Sequence, residues 1–216
     1  MKARLDAIIQ REQAEYLDQL LPQRDPLLTE METYASQHRV PIADPEVAAF
    51  LEITASLSKA TKALEIGMAI GYSVIHLARG MGANGLVVTI EPSTEMINAA
   101  SGFLARANLR EHVRIERGKA LDVMPTLKET FDILFIDAVK EEYRRYLDLG
   151  LPLLSDGGVV IVDNLLWGGK VADESEQSDP STLALRDFNN YFVNHPQLTA
   201  AVLPVGDGLG YAVKTS

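Results

Sequence analysis

The hydrophobic positions change period once along the chain, near residue 62. Before that point they recur at helical spacing: Leu5, Ile8, Ile9, Leu17, Leu20 and Leu21 fall on one face of a helix predicted over 2–21. A second helix is predicted from Pro26 to His38. A third starts at Asp44, an acid followed by a proline that presets the first helical turn. From Ala63 onward short apolar runs alternate with helical stretches. Strands are predicted over 63–66, 86–90, 113–116, 131–136 and 159–162, the last entered through Gly157-Gly158. Helices are predicted over 72–79, 93–107, 141–149 and 183–194. Two closing runs, 199–203 and 210–214, flank a turn near Gly206-Asp207-Gly208 and read as an antiparallel hairpin. The expected fold is α/β: a doubly wound, mostly parallel seven-stranded sheet with an antiparallel last strand. A helical cap (1–62) precedes the α/β core (63–216) within a single domain. Ligands of such a sheet bind beyond the carboxyl ends of its strands.

Three polar residues stand at two of those ends. The run 131–136 leads into Asp137, and 159–162 leads into Asp163 and Asn164. If these strands are parallel neighbours, two carboxylates and a carboxamide meet at one sheet edge. Like charges that close are costly without a cation between them. Hard oxygen ligands suit magnesium, calcium or manganese better than zinc. The three residues are therefore candidate divalent-metal ligands.

A second feature lies after the first strand. Gly67 and Gly71 punctuate the turn Gly67-Met68-Ala69-Ile70-Gly71, where glycine permits close ligand approach and tight helix packing. Glu91 ends the second strand, 24 residues after Gly67, where an acid can accept hydrogen bonds from both hydroxyls of a ribose. The turn lacks the third glycine of the dinucleotide fingerprint and has no pyrophosphate cradle. S-adenosylmethionine is favoured over NAD on that ground. An NAD-dependent oxidoreductase and a noncatalytic binding module remain as alternatives, separable by titrating NADH against S-adenosylmethionine and by Asp137→Ala.

Composition narrows the setting. The 216 residues carry a net charge of −10, which disfavours nonspecific binding to nucleic acid or anionic membrane. Cysteine is absent, so disulfides, thiolate–zinc sites and cysteine nucleophiles are excluded. No apolar stretch approaches the length of a membrane span, and a cytoplasmic location is the simplest expectation. The four histidines (His38, His76, His112, His195) show no metal-like or base-like spacing. Tyr143 and Tyr146 share a helix face, and at least one is expected in the core. The acidic run 173–176 reads as a solvated loop, potentially a lid.

Together the stretches ALEIGMAIGYSVIHLA, FDILFIDAVKEEYRRYL, LLSDGGVVIVDNLLWGGKV, FNNYF and VLPVGDGLG resemble the metal-dependent O-methyltransferases that include catechol and caffeoyl-coenzyme A O-methyltransferases. The likeness covers roughly residues 40 to 214. The segment YASQHRVPIADPE looks most like a bacterial branch that methylates 5-hydroxyuridine at the wobble position of tRNA. The resemblance implies that Asp137, Asp163 and Asn164 bind the metal and that Lys140 takes the proton from the substrate hydroxyl. It puts Gly67, Ser73 and the backbone around Glu65 and Met68 on the methionine part of the cofactor, and Glu91 on its ribose. Lys119 and Ala120 fall at the adenine edge, Ala43 near a further cofactor contact, and Asp137 beside the cofactor as well as the metal. Trp167 is expected to line the substrate pocket. The implied acceptor is a small hydroxylated aromatic, with hydroxylated uridine in tRNA as the alternative, and the family also implies a homodimer. Val139 and Gly168 depart from the plant enzymes and argue against coenzyme-A esters. The cap, with seven Lys or Arg against ten Asp or Glu, leans towards a small acceptor rather than RNA.

Overall fold

The structure is a computed structural model that describes residues 11–21 and 25–215. The first nine positions of the first predicted helix therefore lie outside the described residues. Its remainder is helix α1 (Arg11–Leu20), on which Leu17 and Leu20 are exposed. Helix α2 (Pro26–His38) has the predicted range; Asp25 Oδ1 caps it by accepting from Leu28 N at 2.9 Å, and Pro26 occupies the first turn. Helix α3 (Pro45–Leu57) also opens on proline, but the Asp44 side chain makes no cap bond. That carboxylate is left for other neighbours.

The remaining elements are β1 (Lys62–Ile66), α4 (Tyr72–Met81), β2 (Leu86–Glu91), α5 (Thr94–Arg106), β3 (Val113–Arg117), α6 (Ala120–Val123), β4 (Phe131–Ile136), α7 (Tyr143–Gly150), β5 (Leu154–Val162), α8 (Pro180–Val193), β6 (Leu198–Leu203) and β7 (Leu209–Lys214). They form one seven-stranded sheet in the order β3-β2-β1-β4-β5-β7-β6. The first five are parallel neighbours, while β7 runs antiparallel to both β5 and β6. The period-2 alternation of β4 serves both faces. Ile133 and Phe135 join a core under α2–α5, whereas Leu134 and Ile136 join a second core with α7 and α8. A strand buried on both faces needs apolar residues throughout, as these parallel strands have.

Two local details differ from the sequence reading. Strand β5 starts at Leu154 rather than Val159, because Gly157 takes a φ of 76° and the strand bulges: Phe131 pairs with Leu154, yet Ile133 pairs with Val159. The helix expected from Glu141 opens with a tight 3₁₀ turn, Lys140–Glu142, before α7 begins. That turn draws Lys140 inward.

Candidate active site

The site is an extension of the backbone ladder beyond the strand ends. Gly67 N donates to Ile90 O at 3.1 Å, Asp137 N to Ile66 O at 3.0 Å and Asp163 N to Ile136 O at 3.0 Å. Each bond carries the first residue after one strand onto the end of its neighbour. Since β4 and β5 are parallel with Ile136 paired to Val162, Asp137 and Asp163 are consecutive steps along one edge. The strand adjacency assumed from sequence is present.

Between these ends lies a cavity of about 560 Å³. It brings together Ala43, Gly67, Met68, Ser73, Glu91, Asp137, Lys140, Asn164 and Trp167. Glu65, Lys119, Ala120 and Asp163 do not line it. Lys119 and Ala120 stand at the start of α6, Asp163 is buried just behind Asn164, and Glu65 is wholly enclosed beneath the turn. Glu65 accepts from Ser73 Oγ and Thr89 Oγ1, each at 2.5 Å, so it supports the turn from below. Burial pushes its carboxyl up to about 7, against the pull of the two hydroxyls.

The turn after β1 is shaped by contact with the chain after β4. Gly67 has a φ of +96°, and a Cβ there would lie 2.0 Å from the carbonyl oxygen of Asp137. Ala69 is left-handed, with a φ of 47°, and its N–H donates to Glu91 Oε2 at 3.0 Å. Ser93 N donates to the other oxygen at 2.9 Å. Each oxygen of Glu91 thus holds one backbone donor and keeps acceptor capacity facing the cavity.

Lys140 is the hub of the other half. Its Nζ donates to Asp137 Oδ1 at 2.9 Å, Asn164 Oδ1 at 2.7 Å and Tyr143 Oη at 2.5 Å. The Tyr143 hydroxyl donates to the carbonyl oxygen of Asp163 at 3.1 Å, so its oxygen must accept from the lysine. Tyr143 and Tyr146 are both buried, and Tyr143 has this polar role besides its packing. Its spacing of three from Lys140 was the available signal in the sequence. Asp163 is raised well above the ordinary carboxylate range, first by burial and then by the charge of Asp137. Among the described residues no three His, Cys, Asp or Glu side chains converge as a metal cluster; the third oxygen at this edge is a carboxamide.

Trp167 closes one side. Its backbone is left-handed (φ 50°), and its indole N–H donates to Asp179 Oδ2 at 3.1 Å. Pro41, Ile42, Ala69, Tyr72, Val139 and Ser181 also line the cavity, and of these the sequence pointed only to Val139. None of His38, His76, His112 or His195 lines it; His76 instead pairs with Glu52 at 2.8 Å. The acidic run 173–176 is exposed over its first three residues but tied down. Arg186 donates to the backbone oxygens of Lys170, Val171, Asp173 and Glu176, so this is a pinned loop.

A doubly wound sheet with a glycine turn over its first strand and acids at the ends of the second, fourth and fifth defines a nucleoside-cofactor enzyme of the α/β class. Comparison with known proteins carries this further. The family model described as O-methyltransferase matches residues 12–215. The chain is 35% identical over 206 residues to a catechol O-methyltransferase of Mycobacterium tuberculosis, covering 92% of this chain and 93% of that one. It is 32% identical over 209 residues to a catechol O-methyltransferase of Niastella koreensis, covering 92% and 94%. Among solved structures, an O-methyltransferase from Bacillus cereus in complex with SAH superposes with a TM-score of 0.84 at 32% identity, covering 93% of this chain and 96% of that chain. The chain belongs to the O-methyltransferase family. It is an enzyme of that family with the Rossmann-like sheet of its structural relatives.

Proposed function

We propose that the protein transfers the methyl group of S-adenosylmethionine to one hydroxyl of a catechol-like small molecule held beside a divalent cation. The products are S-adenosylhomocysteine, a methyl ether and a proton. The observation that carries this reading is the convergence of Asp137, Asn164 and Lys140 in one cavity that the Gly67 turn and Glu91 also line.

The donor set fits a hard cation. Asp137, Asp163 and Asn164 supply only oxygens, and burial first, then the charge of Asp137, raises the carboxyl of Asp163, a cost that a cation beside these acids would relieve. Magnesium fits best, with calcium or manganese sharing the same ligand chemistry. When bound, such an ion lends Lewis acidity to the acceptor hydroxyl and fixes its orientation.

The chain's own residues do the rest. Glu91 accepts the ribose hydroxyls with the capacity left on each oxygen. The Gly67 turn permits the close approach that a side chain would forbid. Lys140, held in place by Tyr143, is the group placed to take the proton of the attacking hydroxyl, while Asp137 and Asn164 serve the cation. Trp167 presents a flat wall suited to an aromatic ring.

The test is label transfer from methyl-labelled S-adenosylmethionine to a catechol panel, with and without EDTA. We expect methylation that EDTA stops and magnesium restores. Calorimetry with S-adenosylhomocysteine should show cofactor affinity largely unchanged by EDTA. Undiminished turnover in excess EDTA would sink the metal reading.

A further inference from the structure

Trp167 lies outside the sheet and the α-helices, yet both its backbone and its indole are held. Before it, Leu166 N donates to the carbonyl oxygen of Asp207 at 2.8 Å. After it, Gly168 N donates to both carboxylate oxygens of Asp207, at 2.8 and 3.0 Å. These bonds flank a residue with a φ of 50°, a conformation that a bulky side chain rarely adopts. The indole itself is held by Asp179, the residue before α8, whose Oδ2 accepts from Nε1. That carboxylate makes no cap bond to its own helix. It instead takes Thr182 Oγ1 at 2.6 Å and Lys170 Nζ at 3.5 Å, the latter 6.0 Å from the centre of the indole ring. Hydrogen bonds from Thr182 and then Trp167 hold its carboxyl below the ordinary range, so the indole N–H meets a charged acceptor. The same helix braces the group beside the indole. Phe188 of α8 packs edge-on against Tyr143, with 5.5 Å between ring centres, and Tyr143 Oη accepts from Lys140 Nζ. Lys140 Nζ in turn lies over the indole, 5.6 Å from its centre. Through Asp179 and Phe188, α8 fixes the indole and the lysine relative to each other.

A flat acceptor with two adjacent hydroxyls can lie against a flat wall in two poses. A flip relates them and exchanges the hydroxyl nearest Lys140. Which oxygen reacts depends on how firmly the wall selects one pose, because methyl transfer demands near-ideal placement of the attacking atom. We infer that Asp179 is a positioning residue for the indole of Trp167 and thereby sets which of the two hydroxyls is methylated. The inference rests on the catechol reading above and adds to it the choice between the two oxygens. It also accounts for a carboxylate at a helix start that serves a tryptophan rather than the free N–H groups of its helix.

The test uses 4-methylcatechol with magnesium and S-adenosylmethionine, because its two hydroxyls differ little in acidity and their methyl ethers separate by chromatography. The parent protein should make one ether in about fivefold excess or more, a preference that placement alone can supply. Asp179→Ala should bring the ratio to within about twofold of unity as the indole loosens. Trp167→Ala should do the same, and the double variant should go no further, since both act through one wall. Asp179→Asn keeps a carbonyl oxygen for the indole N–H and should retain most of the preference. The ratio does not depend on how much of the protein is folded. Trp167 is the chain's single tryptophan, so its fluorescence reports this indole alone. Acrylamide should quench it more readily in Asp179→Ala and scarcely more in Asp179→Asn. Equal ethers from the parent, or a ratio that Asp179→Ala leaves unmoved, would overturn the positioning role and leave the catechol reading standing. Additive shifts in the double variant, or quenching unchanged in Asp179→Ala, would overturn the action through Trp167. No methylation of 4-methylcatechol by the parent protein would overturn the catechol reading and this inference together.

Discussion

The ammonium nitrogen of Lys140 lies 2.7 Å from the carboxamide oxygen of Asn164, although 24 residues separate them. One stands at the turn after β4 and the other just past β5, so the contact exists only because those strands are neighbours. It joins the proposed proton acceptor to a proposed metal ligand. Replacing Lys140 by methionine keeps the volume and removes the nitrogen. Methyl transfer should fall about 10²- to 10⁴-fold, the usual worth of a general base. Binding of S-adenosylhomocysteine should change little. Single-turnover rates and calorimetry check the pair, and a rate within a few-fold of the parent would remove Lys140 from the chemistry.

Glu91 holds the N–H groups of Ala69 and Ser93 while offering acceptors to the cavity. Glu91→Ala should weaken cofactor binding by about 1–3 kcal/mol, the worth of hydrogen bonds to a charged group. A dissociation constant unchanged by calorimetry would contradict the ribose role.

At Gly67 a side chain meets both a positive φ and a carbonyl oxygen 2.0 Å away. Gly82 also has a positive φ (+72°), but nothing lies within 4 Å of a Cβ there. Gly82→Ala should cost about 1–3 kcal/mol of backbone strain, because its φ of 72° and ψ of −161° lie where essentially only glycine goes. Gly67→Ala should cost clearly more and should displace Asp137. Urea midpoints of the two variants measure the difference; equal losses would show that the crowding at Gly67 is relieved without penalty.

Glu65 makes stability depend on pH. Its carboxyl lies near 7 in the folded protein against 4.5 ordinarily, chiefly because burial disfavours the charge. The folded state therefore holds a proton that the unfolded chain releases. The stability this proton supplies is complete below about 4.5 and is lost as pH rises towards 7. The shift corresponds to about 3 kcal/mol. Glu65→Gln should flatten that decline, seen as a smaller difference between urea midpoints measured at about pH 5 and about pH 8. An identical decline in both proteins would mean that Glu65 is ionised in the fold.

Much of the architecture was legible in the hydrophobic pattern. Apolar runs such as 131–136 are short, lack helical periodicity and end abruptly in an acid, so each strand and its terminal residue could be named before any pairing was known. Proline after aspartate marked the start of α3 for a local reason, the preset first turn. Such signals act over a few residues, which is why sequence alone determined them.

What only the tertiary structure decided depends on strand order and on enclosure. Placing β1 between β2 and β4, and β4 beside β5, brings residues 67, 91, 137 and 163 to one edge. The left-handed turns at Ala69 and Trp167 are invisible in the sequence because these residues rarely adopt that conformation; the packing around them imposes it. Lys140 could have been an exposed lysine at a helix start. It is buried because a 3₁₀ turn carries it inward, where Tyr143, Asp137 and Asn164 together satisfy a charge that no single neighbour in the chain could hold.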